Sequence, residues 1–332
     1  MASAQTVTHS SLPAHAWSLG RPWRGRVRSG CSQPPFGWRR TAAGAMSLAF
    51  QTKRQIRAAL DAAGLRPRRR FGQHFLIDGN LMRRLVDSAD LSPADAVLEV
   101  GAGTGSLTAA LAERAGRVIA AEVDEDLCQW LDQAFADVPE VVLFRGDALQ
   151  SKNHLSPLLV EAVAAAASEC TGRLSLVSNL PYQIATPLVG NTLLDLPQIR
   201  RFCFTVQLEV GERFTAEAGT SAFGPISVLA QMLCDVTVLG RVPPEAFWPT
   251  PKVDSVMMRL DVRSSPPIER SELRAMAAFI RALFEHRRKT LRSGLRLAGY
   301  PQRPGNAHPV DLDRRAESLT TDEWIALWRG LA

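Results

Sequence analysis

The chain has no run of about 18 uncharged apolar residues, the length a membrane-crossing helix requires, so no span is expected. Cysteine is sparse. The five residues, Cys31, Cys128, Cys170, Cys203 and Cys234, are scattered, with no CxxC pair and no His/Cys cluster. That spacing argues against a zinc site or a disulfide framework and for a reducing compartment. Acidic residues are missing from positions 1–60, which hold nine Lys/Arg. The remainder carries 30 basic against 33 acidic groups, so the body is not a uniformly basic nucleic-acid binder. Its cations are bunched instead, in "RPRRR" (66–70) and "HRRKTLRSGLR" (286–296). No repeat organises the chain.

What is present suits a soluble globular protein: 332 residues, 46% apolar and 22% charged, enough for one large domain and a small one. Residues 1–45 are rich in Ser, Pro, Gly, Arg and Trp without helical or strand period, and disorder is expected there. Two accounts of this acid-free leader stand: an organelle transit peptide, or upstream sequence ahead of a true start at Met46. Its four prolines and lack of an amphipathic stretch favour the second. Residues 46–70 form an N-terminal helix and basic segment, the helix spanning 47–65 and ending at Gly64. From 71 to 263 strands alternate with helices: "AVLEVGAG", "RVIAAEVD", "VVLFRGDA" and "RLSLVSNLPY" as strands, "SLTAALAERA", "EDLCQWLDQAFA" and "LLVEAVAAAAS" as helices. This is α/β patterning with a mostly parallel sheet. "RRFCFTVQ" and "VDSVMMRLDV" are late strands with helix "VGERFTAE" between them. After the linker "SSPPIERSE", residues 264–332 predict a small all-α domain.

The stretch "VLEVGAGTGSLT" (97–108) places Gly101, Gly103 and Gly105 between a strand and a helix, where backbone can approach a ligand. A dinucleotide loop shares this description. Here the spacing is G-x-G-x-G, and Glu99 precedes the first glycine by two residues. An acid there would repel a pyrophosphate but suits a cofactor with a cationic amino-acid end, such as S-adenosylmethionine. Glu122 closes the second strand, suited to ribose hydroxyls, and Asp147 closes the third, suited to the adenine amino group. These ordered acids lie along the carboxyl edge of the sheet, where open α/β folds bind ligands.

The fourth strand ends in "SNLPY" (178–182). Asn179 and Pro181 alone indicate a turn. At this strand end, however, they stand beside the cofactor's methyl group. The Asn179 side-chain oxygen and the Leu180 or Pro181 carbonyl can accept both hydrogens of an exocyclic amine, and Tyr182 can stack on its base. Positioning, not a strong base or a metal, then carries the reaction.

With these motifs the chain resembles the small-subunit ribosomal RNA adenine dimethyltransferases of the kasugamycin-resistance type. The likeness covers about residues 66–332 through "RRRFGQHFLID", "LEVGAGTGSLT", "SNLPYQIATPL", "VPPEAFWPTPKVDSVMMRL" and "FEHRRKTLRSGL". It implies a Rossmann-like class I S-adenosylmethionine-dependent methyltransferase sheet with a small C-terminal all-α domain. The implied reaction methylates N6 of two adjacent adenosines near the 3′ end of small-subunit rRNA within a 30S-type particle, leaving S-adenosylhomocysteine. The implied cofactor contacts are His74, Leu76, Gly101, Gly103, Glu122, Asp147 and Asn179, with Asn179, Leu180, Pro181, Tyr182 and Phe247 at the reacting base. His74 departs from the family, which commonly has Asn there. Phe247 is expected to sandwich the flipped adenine with Tyr182. Arg287, Arg288, Lys289 and Arg292, on a basic helix, are expected to bind phosphates. A cytoplasmic monomer without metal is expected, organellar if the leader is a transit peptide. Competing readings are a dehydrogenase, a large-subunit rRNA dimethyltransferase of the macrolide-resistance type, and an assembly or transcription-factor-like relative with weak catalysis.

Overall fold

In the computed structural model the described residues are 39–40, 46–47, 52–68, 71–300 and 308–331. Arg39–Arg40 pairs antiparallel with Met46–Ser47; the rest of the 1–45 leader, with the disorder expected of it, lies outside the described residues. Thr52 and Gln55 cap each other, Thr52 N–H donating to Gln55 Oε1 at 2.8 Å and Gln55 N–H to Thr52 Oγ1 at 3.4 Å. Helix α1 (Lys53–Ala62) therefore starts after this cap, not at 47. It stops at Gly64, whose φ is 70°, with Leu65 N–H bonded to the Leu60 carbonyl at 2.7 Å. Its apolar face puts Ile56 and Leu60 against Phe75 and Leu127.

The alternation that follows is β1 (Phe75–Leu76), α2 (Gly79–Ala89), β2 (Ala96–Val100), α3 (Ser106–Ala112), β3 (Arg117–Glu122), α4 (Glu125–Ala134) and β4 (Val141–Arg145). A hairpin of β5 (Leu149–Ser151) and β6 (His154–Leu155) leads to α5 (Pro157–Ser168), β7 (Leu174–Asn179), α6 (Ala185–Asp195) and β8 (Ile199–Gln207). Next come α7 (Leu208–Thr215), α8 (Pro225–Leu233), β9 (Cys234–Val242), β10 (Phe247–Trp248) and β11 (Ser255–Val262). Helices α9 (Leu273–Glu285), α10 (Leu291–Leu297) and α11 (Thr321–Leu331) complete the chain. Seven strands form one sheet in the order β9-β11-β8-β7-β2-β3-β4. β11 runs antiparallel to both its neighbours, while β8, β7, β2, β3 and β4 are mutually parallel. β2 is buried at all five positions, as a strand covered by helices on both faces must be. The expected α/β sheet is present, and the carboxyl ends of β2, β3, β4 and β7 share one rim.

The C-terminal helices are also present, but they have no core of their own. Phe279 and Trp324 belong to the same buried cluster as Leu176 and Phe202 of the sheet. The basic segment is not one helix. α9 ends at Glu285, and Thr290 caps α10 by accepting the Ser293 N–H at 3.4 Å. The intervening turn is pinned by Leu291 N–H to the Arg314 carbonyl at 2.8 Å and Arg292 N–H to the Leu312 carbonyl at 2.9 Å.

Candidate active site

The loop from β2 to α3 is shaped by its glycines. Gly101 and Gly103 have φ of 84° and 60°, a region L side chains avoid. Space is the second constraint. A Cβ on Gly101 would lie 2.9 Å from Pro181 Cγ, and one on Gly103 would lie 2.9 Å from the Phe75 ring. The glycine loop thus touches the "NLPY" segment directly, with room for a ligand only because neither carries a side chain.

Glu122, at the end of β3, holds this loop. Its carboxylate accepts the N–H of Gly103 at 2.8 Å and those of Val123 and Asp124 at 2.9 Å. Burial raises its pKa, and those three donors oppose the rise. Asp147 lies exposed just past β4. One of its oxygens accepts the Leu149 N–H at 2.9 Å, and the other bonds no described residue. A cleft of about 280 Å³ is bounded by Gly101, Gly103, Glu122, Asp147, Asn179 and Tyr182. Glycines in a cradle that a Cβ would fill, together with a free carboxylate oxygen, fit an adenosine-bearing cofactor.

Asn179 is held at both ends of its carboxamide. Its Nδ2–H donates to the His74 carbonyl at 2.8 Å, and the Thr205 hydroxyl donates to its Oδ1. The parallel register of β7 and β8 sets Thr205 opposite Asn179, so the contact follows from strand pairing. The Leu180 N–H bonds the Thr205 carbonyl at 3.2 Å, and the Pro181 carbonyl accepts the Ile184 N–H at 3.1 Å. Of the two candidate carbonyls, Leu180's accepts no hydrogen bond from a described residue and Pro181's is engaged in a turn. The Tyr182 hydroxyl lies 2.6 Å from Ser255 Oγ, and burial raises its pKa. Its ring stacks with His74 at 5.5 Å between centroids. His74 Nδ1–H donates to the Pro249 carbonyl at 2.6 Å. An imidazole where the family has an amide therefore fastens the base side of the cleft to the segment after β10.

Three expectations are corrected by strand alternation. Glu99 does not line the cleft: it faces α3 from β2, is 1% exposed, and its Oε2 has no hydrogen-bond partner among the described residues. Burial pushes its pKa up to about 8. Phe247 does not face the base. It pairs with Leu76 across β10 and β1 and is 1% exposed among Leu76, Met82 and Leu85, while the next residue, Trp248, turns outward. Leu76 is buried in that cluster and likewise lines no part of the cleft. At the C-terminal turn, Arg287 bonds Glu317 and the Ser221 carbonyl, the latter at 2.9 Å. Arg292 lies 3.3 Å from Asp313. Arg288 and Lys289 are exposed and form no ion pair with a described residue. Thr205, Ser255 and Trp248 were not legible as site residues, because only strand register brings them to the rim.

Comparison with known proteins places this geometry. A family model described as ribosomal RNA adenine dimethylase matches residues 64–332. The protein named ribosomal RNA small subunit methyltransferase A of Pelotomaculum thermopropionicum is 36% identical over 278 residues, 82% of this chain and 94% of that one. Its namesake from Levilactobacillus brevis is 37% identical over 241 residues, 73% and 79% of the two chains. Among solved structures, the 23S rRNA methyltransferase ErmE aligns with a TM-score of 0.56 at 27% identity, covering 77% of this chain and 99% of that one. A dimethyladenosine transferase from Plasmodium falciparum aligns with a TM-score of 0.61 at 23% identity over 76% and 96%, a likeness of fold. With that match over most of its length, the chain belongs to the ribosomal RNA adenine dimethylase family.

Proposed function

We propose that the protein transfers methyl groups from S-adenosylmethionine to N6 of two adjacent adenosines near the 3′ end of small-subunit rRNA, acting as a monomer on a 30S-type particle. The observation that carries this reading is the Asn179 carboxamide, fixed between the His74 carbonyl and the Thr205 hydroxyl at the floor of a cleft whose other wall is the glycine loop. Gly101, Gly103, Glu122 and Asp147 would hold the cofactor. When bound, it supplies an electrophilic methyl on a sulfonium centre.

The residues of the chain do the orienting. Asn179 Oδ1 keeps a lone pair beyond the one Thr205 uses, and the Leu180 carbonyl is free, so together they can accept both N6 hydrogens. That arrangement takes the nitrogen lone pair out of conjugation with the ring and aims it across the cleft. Tyr182, anchored by Ser255, offers a ring to the base. Holding the reactants in this alignment can supply roughly 7–11 kcal/mol of the barrier reduction.

The test is methyl transfer to undermethylated small ribosomal subunits, followed by mass mapping of the RNA. Paired dimethyladenosines near the 3′ end are the expected product. Modification of large-subunit RNA alone would reassign the substrate, and no transfer to either would leave the binding fold without this chemistry.

A further inference from the structure

Beside the cofactor cleft runs a groove of about 940 Å³ that shares Gly72, Gln73, His74 and Tyr182 with it. Its other walls are Arg57 and Asp61 of α1, the Arg66–Pro67 segment, and residues 248–253. Strand alternation places Trp248 here: Phe247 enters the core, so its neighbour must face out. The charge of the wall is one-sided. Arg57, Arg66 and Lys252 face Asp61 alone, and Arg57 is already 3.8 Å from that carboxylate. Arg66 and Lys252 are exposed and form no ion pair with a described residue.

An aromatic face flanked by two uncompensated cations, continuous with a cleft that admits one base, matches a nucleotide: base on indole, phosphates on the cations. We propose that this groove seats the nucleotide next to the methyl acceptor, its base on Trp248 and its phosphates on Arg66 and Lys252. The assignment rests on the rRNA adenosine function proposed above. It gives the second adenosine of the pair a place while the first occupies the cleft.

The test uses the full chain and a synthetic small-subunit rRNA stem-loop with two adjacent adenosines, alongside versions with an abasic residue at either position. Trp248→Ala should weaken binding of the parent RNA by roughly 5- to 150-fold, the range of one base–aromatic stack. It should barely alter binding of either abasic RNA, and Trp248→Phe should retain most of the affinity. Calorimetric affinity for S-adenosylmethionine should stay unchanged, which separates a lost stack from a disturbed fold. Arg66→Ala and Lys252→Ala should each flatten the log–log salt dependence by roughly 0.7. Equal weakening of parent and abasic RNAs, or no weakening of any, would overturn the proposal. A wild-type protein that methylates no small-subunit RNA would instead remove the underlying function, so the two failures are distinguishable.

Discussion

Asn179 shows how one side chain acquires a role from its neighbours. Two hydrogen bonds fix its carboxamide plane, so Asn179→Ala removes both an acceptor and its preorganisation. Single-turnover methyl transfer should fall by about 10²–10³, with RNA affinity nearly unchanged. Thr205 is a positioning residue for the same group. Thr205→Val leaves Oδ1 without its donor and should slow transfer by about tenfold, while Thr205→Ser should restore most of the rate. A merely structural threonine would instead shift the melting temperature and leave the rate alone. Glu99 makes a different prediction because its burial holds the pKa at about 8 rather than the ordinary 4.5. Between those values the folded chain keeps a proton that the unfolded chain has lost. Stability from this group is therefore complete below pH 4.5 and is lost as pH rises to about 8, with a slope of up to about 1.4 kcal/mol per unit. Melting curves of Glu99→Gln should diverge upward from wild type between pH 5 and 8; parallel curves would contradict the buried, protonated carboxyl.

At the scale of elements, the C-terminal turn divides its cations by task. Arg288 and Lys289 are exposed and without ion-pair partners, so replacing both with Ala should weaken RNA binding and reduce the salt slope by roughly 0.7–0.9 for each phosphate no longer neutralised. Arg287→Ala should instead lower the melting temperature, since that guanidinium ties the turn to Glu317 and to the Ser221 carbonyl. A salt titration and a melting curve on the two variants tell them apart. The same turn marks a limit of sequence reasoning. Period and charge indicated a continuous basic helix, but hydrogen bonds from Leu291 and Arg292 to distant carbonyls break it. The parallel strands were legible because their short apolar runs end in turn residues. β9 was not: it is an edge strand with Val238 exposed and its register broken near Gly240, so no alternation shows. α8 was hidden for the opposite reason, as "PISVLAQML" is buried on nearly every side and carries no amphipathic period. The glycine loop, Glu122, Asp147 and Asn179 were legible because each stands at a strand's carboxyl end. Phe247 and Trp248 could not be told apart, because adjacent aromatics say nothing about which one faces inward.

Across the whole molecule, the sheet and the C-terminal helices share a single apolar cluster, so they should melt together. Trp324→Ala, in a helix far along the chain from the glycine loop, should cost about 3–5 kcal/mol. It should lower one common transition seen both by circular dichroism and by cofactor protection. Two separate transitions would mean that the halves fold independently. The one reversed strand of the sheet has a further consequence. Because β11 runs against its neighbours, β9 and β11 are joined as a hairpin, and its connection is delivered to the rim that the parallel strands use. Parallel strands reach that rim only through helical crossovers, whose length and packing resist change. A hairpin tip is under no such constraint. Residues 243–254 can be lengthened, shortened or rewritten without moving a helix or the glycine loop, which makes this tip the place where new substrate preferences could be grafted while the cofactor half is inherited intact.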